Sequence, residues 1–104
     1  MQRIAFRMRL KPGKLDGYIE HHQAVWPELL RDLTAAGYRN YSIFLDGLDL
    51  FGYFECEDYE SANAGMARSD ANRRWQTMMS EFLEAAPDPE AGPTRLMTEV
   101  FRLD

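Results

Sequence analysis

The chain has 104 residues, enough for one domain and too few for a second core. Seventeen acids against twelve bases leave a net charge of −5, which argues against nucleic acid, whose phosphates demand a basic surface. A single cysteine, Cys56, excludes a disulfide framework and a thiolate zinc cluster.

Ile4, Phe6, Met8 and Leu10 alternate with Arg3, Ala5, Arg7 and Arg9, the period of a half-buried strand, and Pro12-Gly13 ends it. The arginines also break up the continuous apolar core that a signal peptide needs. No apolar run approaches the length of a membrane span, so the expected setting is a soluble protein of the reducing cytoplasm.

A helical period follows from about Lys14, with an apolar stripe through Leu15, Tyr18/Ile19, Val25/Trp26, Leu29/Leu30 and Leu33. Pro27 cannot sit inside one continuous helix, because its ring clashes with the carbonyl of Gln23 and removes a donor. The spacing therefore predicts a break near Val25–Trp26, with Pro27 opening a second segment and Gly37 capping it. His22 falls on the stripe, one turn after Tyr18 and one turn before Trp26. His21 is expected among the solvent-facing charges.

Tyr38 to Asp46 and Leu48 to Glu57 read as two strands about an Asp46-Gly47 hairpin turn. A further helical region begins near Asp58 and restarts at Asp70, expected as its N-cap, with Ala71, Trp75, Met78/Met79 and Phe82 inward. Residues 86–93 read as a proline-rich loop, and Thr94 to Leu103 as a last strand. The order β-α-β-β-α-β defines an α+β, ferredoxin-like domain over residues 1–104, with its helices on one face of an antiparallel sheet. The other face carries arginines on strand one, and strands two to four are expected to be apolar on both faces. That surplus suggests sheet-to-sheet packing in a homodimer, the dimeric α/β-barrel arrangement.

Several residues could carry chemistry. His22 titrates near neutrality and suits acid–base work, but an imidazole on an apolar stripe can equally be a core residue satisfied by one carbonyl. Tyr18 and Tyr41, on elements that face each other in this fold, could each offer a hydroxyl to a polyol or serve only as packing. Trp75 is either core or a flat platform for the apolar face of a sugar, and Trp26 carries the same ambiguity. No metal-ligand set, glycine-rich phosphate loop or nucleophile elbow is present in the sequence, so no metal and no cofactor are expected.

At these residues a family comes into view. The opening Ala5-Phe6-x-Met8, the segment Tyr18-x3-His22-x3-Trp26-Pro27-Glu28-Leu29, Asn40-Tyr41-Ser42-Ile43-x-Leu45-Asp46, Arg74-Trp75 and Glu99-Val100-Phe101 together resemble the L-rhamnose mutarotases, or L-rhamnose 1-epimerases. The resemblance runs nearly the whole length. It implies a small homodimeric isomerase that interconverts the α and β anomers of an L-6-deoxyhexose without a cofactor. It further implies His22 as the proton donor at the ring oxygen, returning as base on closure, with Tyr18, Tyr41 and Trp75 at the monosaccharide. The family's second tryptophan is replaced here by Gln76, an amide in place of a stacking surface, which brings L-fucose or a related L-sugar forward as an alternative to L-rhamnose. Two other classes share the fold: a ferredoxin-like monooxygenase or haem protein, with His22 as an axial ligand, and a catalytically silent sugar-binding domain.

Overall fold

The computed structural model describes residues 1–85 and 94–104. Along the chain run β1 (Gln2–Arg9), α1 (Leu15–His22), α2 (Pro27–Ala36), β2 (Arg39–Asp46), β3 (Asp49–Cys56), α3 (Tyr59–Ala67), α4 (Asp70–Met79) and β4 (Arg95–Leu96). The strands form one antiparallel sheet in the order β2-β3-β1-β4. This is the ferredoxin-like arrangement anticipated from the alternation of periods.

Each boundary has a local cause. Pro27 stands at the first position of α2, where its missing N–H costs no helical bond, and Trp26 before it is extended (φ −58°, ψ 133°). Gly37 closes α2 at φ +106°. The β2–β3 hairpin turns through Gly47 and Leu48, with Asp46 paired to Asp49. Asp58 caps α3 by accepting from Ser61 N–H. The cap of α4 is Ser69 rather than Asp70: its Oγ accepts from Asn72 N–H (3.0 Å) and donates to Asp32 on α2 (2.6 Å). Asp70 is instead the first helical residue, where its carboxylate meets Arg73 and Arg74.

The core lies between the helices and one face of the sheet. Phe6 and Met8 from β1, Leu10 just after it, and Leu50, Phe54 and Cys56 from β3 meet Tyr18, Leu29, Ala62, Met66, Trp75 and Met79. Phe6 pairs with Gly52, and its ring occupies the space that a side chain at Gly52 would fill. The outer face is mixed rather than uniformly apolar. Arg7 and Arg9 bond Asp49 at 3.4 and 2.8 Å, and Arg7 lies over the Phe51 ring at 5.9 Å. Phe44, on the edge strand β2, is 64% exposed on that face.

The last strand is much shorter than expected. The register that places Leu96 opposite Phe6 brings Met97 to the carbonyl of Ala5 (2.9 Å) and Glu99 to an ion pair with Arg3. Ladder pairing stops at Leu96, although β1 runs back to Gln2. Val100, Phe101 and Leu103 are 94%, 77% and 83% exposed. The proline-rich loop expected at 86–93 lies outside the described residues.

Candidate functional site

His22 ends α1, where the last turn leaves carbonyls without helical partners. Its Nδ1 donates to the Tyr18 carbonyl, one turn back, at 2.9 Å. A carbonyl can only accept, so the proton on the ring is fixed to Nδ1 and Nε2 is the nitrogen left for chemistry. The Tyr18 ring stacks against the imidazole (centroids 4.0 Å apart, 27° between planes), and Trp75 presents an edge from the other side (5.3 Å, 77°). Burial between these rings depresses the imidazole below its usual value, the Tyr18 carbonyl opposes that, and the neighbouring His21 adds to it. At neutral pH the ring is therefore uncharged.

Two cavities meet at His22. The larger, about 430 Å³, runs from His22 and Trp75 past Leu29 and Leu33 of α2 to Tyr38, Asn40 and Tyr41. The smaller, about 220 Å³, lies between Tyr18, His22 and the inner residues Ile43 and Leu45 of β2. Burial pushes the Tyr41 hydroxyl well above the ordinary phenol value, and Tyr18 is pushed up to about 12 for the same reason. Both tyrosines therefore keep their protons and can donate hydrogen bonds across the neutral range.

Trp75 is buried on α4, and its second neighbour is Trp26, edge-on at 5.1 Å. Arg74 covers the outer side of Trp26 at 5.4 Å while pairing with Asp70 and Glu28. The tryptophan wall is thus held by packing from below and a cation from outside.

Most of the side chains singled out in the sequence converge here: His22, Tyr18, Tyr41 and Trp75 surround the paired cavities. Gln76 does not join them. One position on from Trp75, it is rotated to the exposed side of α4, and its amide bonds Asn72 at 3.3 Å. It lines neither cavity. His21 also departs from expectation: it is half-buried, its ring edge-to-face with Phe82 at 5.4 Å. The helical wheel placed it outward, but the chain after α4 folds back under α1 and covers it. The lining residues missed include Tyr38 and Asn40. Their signal was a parity conflict, since Tyr38 and Tyr41 lie three apart and cannot share a face in a regular strand. Among the described residues no three His, Cys, Asp or Glu side chains gather as a metal set, and no helix is long and apolar enough to cross a membrane.

Sheet order, the one-sided helical layer and a half-buried imidazole among aromatic rings place the chain among ferredoxin-like α+β proteins with a pocket between helices and sheet. Solved structures agree. An antibiotic biosynthesis monooxygenase superposes with a TM-score of 0.65 at 14% identity, over 96% of this chain and 99% of that one, which speaks to the fold alone. The L-rhamnose mutarotase of Formosa agariphila superposes with a TM-score of 0.82 at 27% identity over the whole of both chains. The L-rhamnose mutarotase of Oceanobacillus iheyensis is 40% identical over 106 aligned positions, again all of both chains. The profile of the L-rhamnose mutarotase family matches residues 3–103, and the chain belongs to that family. It is accordingly an isomerase acting on carbohydrates.

Proposed function

We propose that the protein interconverts the α and β anomers of L-rhamnose, and that His22 moves the proton. The observation that carries this reading is the imidazole itself: neutral, its Nδ1 committed to the Tyr18 carbonyl, and seated where two cavities join. Nε2 takes the proton from the anomeric hydroxyl. The C1–O1 bond becomes a carbonyl, the C1–O5 bond breaks, and the imidazolium returns the same proton to O5. Rotation about C1–C2 presents the other carbonyl face. Closure then reverses each transfer, so that no proton is gained or lost over the cycle. A positioned group of this kind typically contributes about 10²–10⁴-fold.

The sequence resemblance cast His22 first as an acid. Its depressed pKa favours the reverse order, base first and acid second. Tyr41 and Tyr18, both held protonated, supply hydrogen bonds to the oxygen that carries charge as the ring opens. Trp75, beside the imidazole, offers an apolar surface to the C–H edges of the pyranose. The exposed position of Gln76 favours L-rhamnose over L-fucose, because the one substitution that raised the second sugar lies away from the cavities.

Two copies are taken to pack outer face to outer face, supported by Phe44, Phe51 and Tyr53 along the uncovered side of the sheet. A cytoplasmic setting is part of the same reading, supported by the sugar-isomerase family. The test is saturation-transfer NMR on the anomeric protons of equilibrated L-rhamnose, L-fucose and D-glucose, with wild type and His22→Ala. Faster exchange of L-rhamnose by wild type, absent in the variant, is expected. No acceleration of any of the three sugars would end the proposal.

A further inference from the structure

Among the described residues Asn40 is the one non-glycine with a positive φ, +51°. It sits in an irregularity of the β2–β3 pair, where Arg39 opposes Glu55 and Ser42 opposes Tyr53, three steps on β2 against two on β3. That one surplus residue is a bulge, and it reverses the parity of the strand. Without it Tyr38 and Tyr41 would face opposite sides of the sheet. With it both rings lie on the inner side, Tyr38 stacked on Phe54 (4.3 Å) and Tyr41 against Phe6 (6.1 Å) and Phe54 (5.5 Å).

After glycine, asparagine tolerates the left-handed region best. Here its side chain is also tied down. Asn40 Nδ2 donates to Glu55 Oε1 at 2.5 Å, and Tyr53 donates its hydroxyl to Glu55 Oε2 at 2.7 Å. One carboxylate therefore clamps the bulge on β2 to the regular strand beside it. The same two bonds hold the Glu55 carboxyl below its ordinary range, so it remains an acceptor through the neutral region.

We propose that Asn40, clamped to Glu55, is a positioning residue that fixes the ring of Tyr41 in the cavity beside His22. The assignment rests on the reading of that cavity as the sugar site. Asn40 acts through Tyr41 and transfers no proton.

The test uses three clamp variants in the full chain. Asn40→Gly keeps the left-handed backbone without strain and deletes only the side-chain bond. Glu55→Ala deletes it from the other end, and Glu55→Gln retains an acceptor for Asn40. Two readouts are taken: nuclear Overhauser contacts between the Tyr41 ring and the rings of Phe6 and Phe54, and kcat and KM for L-rhamnose anomer exchange. In Asn40→Gly and Glu55→Ala the ring contacts are expected to fade and kcat/KM to fall about tenfold, while Glu55→Gln keeps both. In a Tyr41→Phe background Asn40→Gly should add less than about a twofold further loss, because the two act through one group. Ring contacts that persist in both clamp-deleting variants overturn the assignment. If wild type itself exchanges no sugar, the reading of the cavity fails, and the ring contacts alone then decide whether Asn40 positions Tyr41.

Discussion

The ring of Phe6 lies over Gly52, its cross-strand partner, so closely that a Cβ built at position 52 would come within 2.1 Å of Phe6 Cζ. The same ring meets Tyr41 edge-on at 6.1 Å, so the glycine sets the depth of an aromatic that in turn backs the candidate site. Gly52→Ala should push Phe6 off its rotamer and cost about 1–3 kcal/mol. Thermal unfolding would record this as a fall in Tm, and Phe6→Leu in the same chain should recover part of it. Additive losses in the double variant would show that the ring and the glycine are not coupled.

His22→Ala should reduce anomer exchange about 10²–10⁴-fold while leaving sugar binding within reach of NMR titration. Because burial lowers the folded imidazole, wild-type kcat/KM should be flat at neutral pH and above, and should fall as the pH drops below the usual imidazole value near 6.5. Stability has the same sign. A His whose folded pKa is depressed binds its proton more tightly when unfolded, so stability is full above the unfolded pKa and declines as the pH falls towards the folded one. Chemical denaturation at a series of pH values checks this, and the slope over that window should shrink in His22→Ala.

Ser69 serves two partners with one hydroxyl: it caps α4 at Asn72 N–H and reaches Asp32 on α2. Ser69→Ala should cost about 1–2 kcal/mol, more than an isolated cap. Ser69→Asp retains a capping oxygen but sets two carboxylates together, so it should be less stable than Ser69→Asn. Urea midpoints for the three variants give the order directly.

Phe44, exposed on the outer face of the edge strand β2, is the most direct probe of self-association. Phe44→Lys should convert a two-copy species into single chains at micromolar concentration, with an unchanged circular dichroism spectrum. Sedimentation of wild type as a single chain under those conditions would remove the proposed assembly.

Much of this architecture could be read from local chemistry. Pro27 split the first helical region, Gly37 ended it, and the switch between periods of two and 3.6 gave the order of elements. The inward positions of Tyr18 and His22 on α1, and of Trp75 on α4, were legible because a helix carries its inward residues at fixed angles. Where the text of the chain misled, non-local contacts decided the outcome. His21 was assigned to solvent by its angle, yet Phe82, sixty-one residues on, covers it. Thr94–Leu103 reads as a strand, but ladder pairing with β1 holds only at Arg95–Leu96, although β1 itself begins at Gln2. Gln76 inherited a role by alignment with a tryptophan pair, while one step along α4 turns it to the surface. The bulge at Asn40 was signalled only by the clash of parity between Tyr38 and Tyr41.

Cys56 closes β3 on the inner face, 1% exposed, with its thiol pushed above the ordinary value by burial. Thiolate is the species that alkylating reagents capture, so the folded protein withholds both the atom and its reactive form. The chain carries no other cysteine to blur the signal. Mass-spectrometric labelling at this position therefore counts opening events of the central strands, and a bound sugar that stiffens the inner face would be visible as a slower clock.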